Sequence, residues 1–252
     1  MRRLTGRRML LLATILVGAC AAQMSESEKQ EASQPHYDIG LGALAENNTT
    51  KAIAELKEAV EISPNNPRYQ HALGNAYLRA NQREQAVQTF RIAVELGPRF
   101  SDAYNELGAA YLRQQQWDPA IDAFHKALAN PRYLNPERAY MNLGNVYMMQ
   151  RQYVLAADQF RKVSDVLPQS PDGYFLLGRA LVEQGKTAEA REQFEKAIKL
   201  DGTISIFHLE MGIVQIREGD KTGARESFRR AIELSPSGPE ATEARRRLQG
   251  LN

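Results

Sequence analysis

Residues 101–128 read SDAYNELGAAYLRQQQWDPAIDAFHKAL, and the order of small and large side chains in them decides the fold. Gly108 follows an apolar residue, Ala120 stands twelve positions later, Phe124 four beyond that and Ala127 three further. The same four positions recur in both directions along the chain. The glycines are Gly40, Gly74, Gly108, Gly144, Gly178 and Gly212, spaced by 34, 34, 36, 34 and 34 residues. With them run Ala52, Ala86, Ala120, Ala156, Ala190 and Ala224, then Leu56, Phe90, Phe124, Phe160, Phe194 and Phe228, then Ala59, Ala93, Ala127, Val163, Ala197 and Ala231. Prolines close most units, at Pro64, Pro98, Pro168 and Pro236. Self-similarity at this period is the signature of stacked helical hairpins, none of which can bury its apolar face alone.

The pattern is a packing code. Each unit is expected to be two antiparallel helices, A and B, with the glycine and first alanine at their close crossing, where no larger side chain fits. The apolar residue before each glycine (Ile39, Leu73, Leu107, Leu143, Leu177, Met211) and the later phenylalanine should fill the core. Proline after helix B should stop it, since proline lacks an amide hydrogen and clashes with the preceding turn. The units run 33–66, 67–100, 101–136, 137–170, 171–204 and 205–238. Residues 239–252 form an Arg-rich capping helix that turns Ala241, Ala244 and Leu248 inward and leaves Arg245, Arg246 and Arg247 as a solvated face. The fold class is therefore all-α. A composition of 43% hydrophobic and 25% charged residues agrees with a folded chain.

The N-terminus carries a different message. Arg2, Arg3, Arg7 and Arg8 precede an apolar run over 9–17 that is too short to span a bilayer. Gly18-Ala19-Cys20 then resembles a bacterial lipobox: residues 1–19 form a leader cut before Cys20, the single cysteine of the chain, which becomes lipidated on sulfur (palmitate-type acyl chains). Ala21, in place of Asp, points to the outer membrane, with the body facing the periplasm. Residues 20–32 are polar with no apolar period and read as a lipidated cysteine and flexible tether. Loss of the four leader arginines lowers the 32 basic residues to 28 against 30 acidic, a net of −2. No basic excess is left to support nucleic-acid binding.

The repeat resembles the tetratricopeptide (TPR) family over residues 33–238. The resemblance implies a right-handed superhelix that binds other proteins, with the second, fifth, ninth, twelfth and thirteenth residues of each unit lining a concave groove. The candidate groove is Tyr37, Leu41 and Leu44 in the first unit; His71, Asn75 and Leu78 in the second; Asn105, Ala109 and Leu112 in the third; Met141, Asn145, Met148 and Met149 in the fourth; and Phe175 and Arg179 in the fifth. This strip is more apolar than a surface should be, as an interaction site would be. It should accept an amphipathic helix or extended apolar segment, with Asn75, Asn105 and Asn145 bonding to its backbone. Family members that clamp a C-terminal carboxylate need a Lys where His71 stands, an Asn at Glu106 and a base at Asn142, so that mode is not expected. Tyr is usual at Ala43, Leu181 and Gln215, departures that bear on packing.

Nothing points to catalysis, a cofactor or a metal. His36, His71, His125 and His208 are scattered singly, with His36 and His208 at positions that normally pack in the core. Gly40-Leu-Gly42 lacks the third glycine and preceding strand of a dinucleotide loop. Asn48-Thr49-Thr50 fits an N-glycosylation acceptor but reads better as a helix–helix turn.

The third unit is two residues longer than the others. Its junction, NPRYLNPERAYMNLG over 130–144, is similar to the same junction in the PilW/PilF family of type IV pilus lipoproteins, or pilotins, including the myxobacterial member. Leader, tether, six units and total length match as well. The resemblance implies a monomer without cofactor, anchored to the outer membrane by its lipid, whose partner is the pilus secretin and whose task is to promote secretin assembly and so pilus biogenesis and motility. A general periplasmic scaffold for envelope or peptidoglycan assembly is the alternative, since fold does not fix function.

Overall fold

Each A–B turn is built from one left-handed residue. Asn47, Asn81, Gln115, Arg151, Gly185 and Gly219 all have positive φ, between 57° and 84°. The backbone amide of the residue after each one bonds the carbonyl five residues back, as in Gln82 to Tyr77, Gln152 to Tyr147 and Lys186 to Leu181. This is the closure that satisfies the orphan carbonyls of a helix end and reverses the chain.

The computed structural model describes residues 24–251. Among the described residues there are thirteen helices and no strand: α1 Glu26–Ala45, α2 Thr49–Ile62, α3 Pro67–Arg79, α4 Arg83–Leu96, α5 Ser101–Arg113, α6 Trp117–Leu128, α7 Pro136–Met149, α8 Tyr153–Val166, α9 Pro171–Glu183, α10 Thr187–Leu200, α11 Ser205–Arg217, α12 Lys221–Leu234 and α13 Pro239–Gln249. Odd-numbered helices up to α11 are the A helices. The B helices α2, α4, α8 and α12 end two residues before Pro64, Pro98, Pro168 and Pro236, as the sequence requires. Pro67, Pro136, Pro171 and Pro239 open helices instead, at the position whose amide has no intrahelical partner.

The glycine code is a ring contact. A methyl group on Gly74 would come 2.6 Å from the Phe90 ring, and the same collision recurs between Gly108 and Phe124 and between Gly178 and Phe194. In the first unit Leu56 replaces the ring against Gly40. Phe90, Phe124, Phe160, Phe194 and Phe228 are all essentially inaccessible. Burial of each contributes about 2–3 kcal/mol. The residues before the glycines are buried as expected, with one exception: Ile39 is 43% exposed, because no described element precedes α1 to cover it.

The described residues divide into two compact units, with the boundary between Tyr133 and Leu134. The boundary falls in the long junction of the third unit. In the first, α1–α6, each A helix packs on its own B helix and each B helix on the next A helix. Asn130 ends this unit by donating to the Arg99 carbonyl and the Ser101 hydroxyl while accepting from the Arg132 amide. In the second unit α7–α12 stack the same way, and α13 lies on α11 and α12. Ala241 and Ala244 are fully buried, and Leu248 packs with Ile206, Ile213 and Ile216 against Leu209 and Phe228.

One expectation needs correction. Residues 26–32, read from composition as tether, are helical and belong to α1. Ser25 accepts from the Glu28 amide and Glu28 reaches back to the Ser25 amide, a capping box that starts the helix. Polar contacts then hold this first part of the helix, ahead of the apolar face that begins at Tyr37. The Ser33 hydroxyl, buried, lies 3.0 Å from the Ser63 hydroxyl and donates to the Tyr69 oxygen, which also accepts from Gln30. Cys20, Ala21 and the leader lie outside the described residues.

Candidate partner-binding surface

In the first unit, the A helices α1, α3 and α5 carry nine of the residues assigned to a groove. Leu41 is exposed; His71, Asn75, Leu78, Ala109 and Leu112 are half-buried. The remaining three are core. Tyr37 stacks on Tyr69 with ring centroids 4.8 Å apart, and Leu44 belongs to the same apolar cluster. Asn105 is 1% exposed, so its amide is sealed away from any partner backbone, contrary to expectation. His71 is wedged by aromatic rings, 4.9 Å from Phe100 and 5.8 Å from Phe90, and its Nε2 lies 3.3 Å from the Asn75 amide nitrogen. That contact fixes both side chains and leaves Asn75 half-exposed. Arg79 at the end of α3 donates to the Leu44 carbonyl, tying the ends of α1 and α3. What this unit offers is an apolar row, Leu41, Leu78 and Leu112, with one amide beside it.

In the second unit the A helices are α7, α9 and α11. Met141, Asn145 and Met148 are half-buried along α7, and Met149 is 63% exposed at its end. Phe175 of α9 stacks on Phe207, centroids 4.7 Å apart, and on Phe194 at 5.8 Å. The exposed Arg179 lies over the Phe175 ring at 5.9 Å and 4.0 Å from the Glu210 carboxylate. Glu210, missed by the sequence reading, is the titratable centre of this face. Burial pushes its pKa up, opposed by Arg179, Arg247 and Arg217 and reinforced by Glu183. Arg217 donates to the Val182 carbonyl, repeating in the second unit the link that Arg79 makes in the first. The signal that could have found Glu210 is its place as a lone carboxylate between Leu209 and Met211 in the middle of an A helix.

The other histidines hold local structure. His36 and His208 are half-exposed rather than core: His36 Nδ1 lies 2.8 Å from Glu55 and His208 Nε2 lies 3.0 Å from the Gly202 carbonyl oxygen. Asn48 caps α2 by accepting from the Lys51 amide. Among the described residues no group of His, Cys, Asp and Glu is arranged to hold a metal, and no helix is long and apolar enough to cross a membrane.

The repeats match known models. A tetratricopeptide repeat model covers residues 71–135, 110–173 and 175–239, more than half of the chain, and a second TPR repeat model covers 44–81. No curated protein sequence matches. Among solved structures the chain is similar to PilF of Pseudomonas aeruginosa (21% identity, TM-score 0.75, 87% of this chain and 99% of that one). It is similar to PilW, described as a widely conserved type IV pilus biogenesis factor (21%, 0.74, 87% and 98%). A third is YrrB, a TPR protein with an unusual peptide-binding site (22%, 0.63, 76% and 97%). At these identities the likeness is one of fold.

Proposed function

We propose that this chain, which belongs to the tetratricopeptide repeat family, works by binding another protein and is a pilotin: an outer-membrane lipoprotein that holds the type IV pilus secretin and promotes its assembly into multimers. The observation that carries the reading is the half-exposed apolar row on the A helices, Leu41, Leu78 and Leu112 in one unit and Met141, Met148 and Met149 in the other. Thioether and leucine side chains left open to solvent at helical spacing suit a chain that arrives apolar side first. The likeness to PilF and to PilW, the latter described as a type IV pilus biogenesis factor, supports a partner in the pilus machinery. The lipobox around Cys20 supplies the anchor: several acyl chains on one cysteine hold a protein stably, where a single chain holds it only marginally.

The chemistry needs no nucleotide. A face that binds the secretin subunit before it assembles stabilises that subunit by an amount that grows with the logarithm of the ratio of its own concentration to the dissociation constant. Confinement to the membrane raises that concentration. Release follows when contacts between neighbouring secretin subunits replace those with the A helices.

Deletion of the gene, followed by a blot for heat-resistant secretin multimers, tests the reading. The expected result is loss of multimers with monomer retained, and Cys20→Ser should reproduce it while moving the protein out of the membrane fraction. Normal multimers in the deletion strain would remove the pilotin assignment and leave a general envelope scaffold.

A further inference from the structure

We propose that the turn joining α7 to α8 is a second docking surface, separate from the A-helix faces, that takes a short apolar segment carrying carboxylates from a partner protein. The argument comes from reading the six units in register. The second and third residues of the B helices are Thr50 and Lys51, Glu84 and Gln85, Asp118 and Pro119, Val154 and Leu155, Ala188 and Glu189, Thr222 and Gly223. Every one of these sites is open to solvent, Gly223 least so. The fourth unit alone fills the pair with two large apolar side chains, and they stay 62% and 44% exposed. Such a substitution costs solubility and contributes nothing to the fold, which marks an interaction site.

The turn is shaped for an occupant. An open surface depression of about 550 Å³ is lined by Gln152, Tyr153, Val154, Leu155 and Gln184, together with Arg151 and Lys186. Its lining holds two cations and no carboxylate. The Gln184 amide donates to the Tyr153 carbonyl at 3.0 Å, tying the α7–α8 turn to the α9–α10 turn, so the site is formed before anything binds. Lys186 pairs with Glu189 at 3.7 Å, but both are half-exposed, and a water-screened pair gives way readily to a better partner. Arg151 occupies the left-handed position that the next two units give to Gly185 and Gly219, so a long cationic side chain stands where the backbone favours none. An apolar floor with a cationic lining selects an apolar segment flanked by acids.

The probe is fluorescein-labelled acetyl-Asp-Leu-Phe-Leu-Glu-amide, with acetyl-Lys-Leu-Phe-Leu-Lys-amide as its control, read by fluorescence polarisation on the mature protein. The acidic peptide should bind and the basic one should not. V154T/L155Q, which borrows Thr50 and Gln85 from the first two units, should weaken binding at least about tenfold with an unchanged melting temperature. R151E/K186E should reverse the preference between the peptides. Leu112→Glu and Met148→Glu should leave this binding unchanged, which separates the site from the A-helix faces. Three results would overturn the proposal: no binding of the acidic peptide up to about 1 mM, equal binding to V154T/L155Q, or dimers or phosphatidylglycerol-vesicle binding of the wild-type protein that V154T/L155Q abolishes.

Discussion

At the scale of single residues, polar atoms inside the stack do as much to define the structure as apolar ones. Tyr69 is 1% exposed and its oxygen gathers Ser33, Gln30 and Gln34 from α1. Tyr69→Phe keeps the ring and removes the hub, taking one partner from the buried Ser33 hydroxyl, which keeps Ser63 and the Gln30 carbonyl. The expected cost is about 0.5–1.5 kcal/mol, measured by urea unfolding. Glu210 is the opposite case. Burial raises its pKa despite three surrounding arginines, so the ionised carboxylate is penalised in the folded state at neutral pH. A raised acid pKa means that the folded protein binds the proton more readily than the unfolded chain, so protonation favours folding. Glu210→Gln should therefore raise the melting temperature at pH 7, and the gain should vanish at a pH low enough to protonate the wild-type residue. A lower melting temperature for the variant at pH 7 would show that pairing with Arg179 outweighs desolvation.

At the scale of elements, α1 at the start of the first compact unit and α13 at the end of the second are held by different means. The helix α13 buries two alanines and is stapled by Glu243, which accepts from Arg246 and Arg247 and is held by those bonds down to about 2 from the usual 4.5. A depressed carboxylate pKa contributes stability that is present above pH 4.5 and is lost as the pH falls toward 2. Over that window the wild-type protein should lose more stability than Glu243→Gln, as read by thermal unfolding followed by circular dichroism at successive pH values. The alanines of α13 were legible in the sequence, because small residues at helical spacing need only a neighbouring helix to face. Residues 26–32 were not. Their Ser25–Glu28 capping pair is visible, but the contacts that hold the helix reach 30 and 36 residues ahead to Ser63 and Tyr69, and no local apolar period reports them. Ile39 failed for the reverse reason: its pattern is that of a core residue, while among the described residues no element precedes α1 to bury it.

For the whole molecule, the sequence specified the hairpins because one glycine and one aromatic ring per unit leave a single way to cross two helices. It specified the candidate surface less well. Tyr37, Leu44 and Asn105 sit at positions that family geometry turns outward, yet side-chain size and the packing of α1, α3 and α5 draw them into the core. Val154 and Leu155 were legible only when the units were compared position by position, because a helix start is not where a TPR groove is sought. What remains open on the A helices, above all Leu112 in one unit and Met148 in the other, is the basis for protein binding. The direct measurement is the affinity of the mature protein for the type IV pilus secretin by calorimetry, with Leu112→Glu/Met148→Glu as the variant and circular dichroism as the check on folding. The account predicts binding by the wild-type protein and at least about a tenfold loss in the folded variant. Unchanged affinity in a folded variant would contradict it.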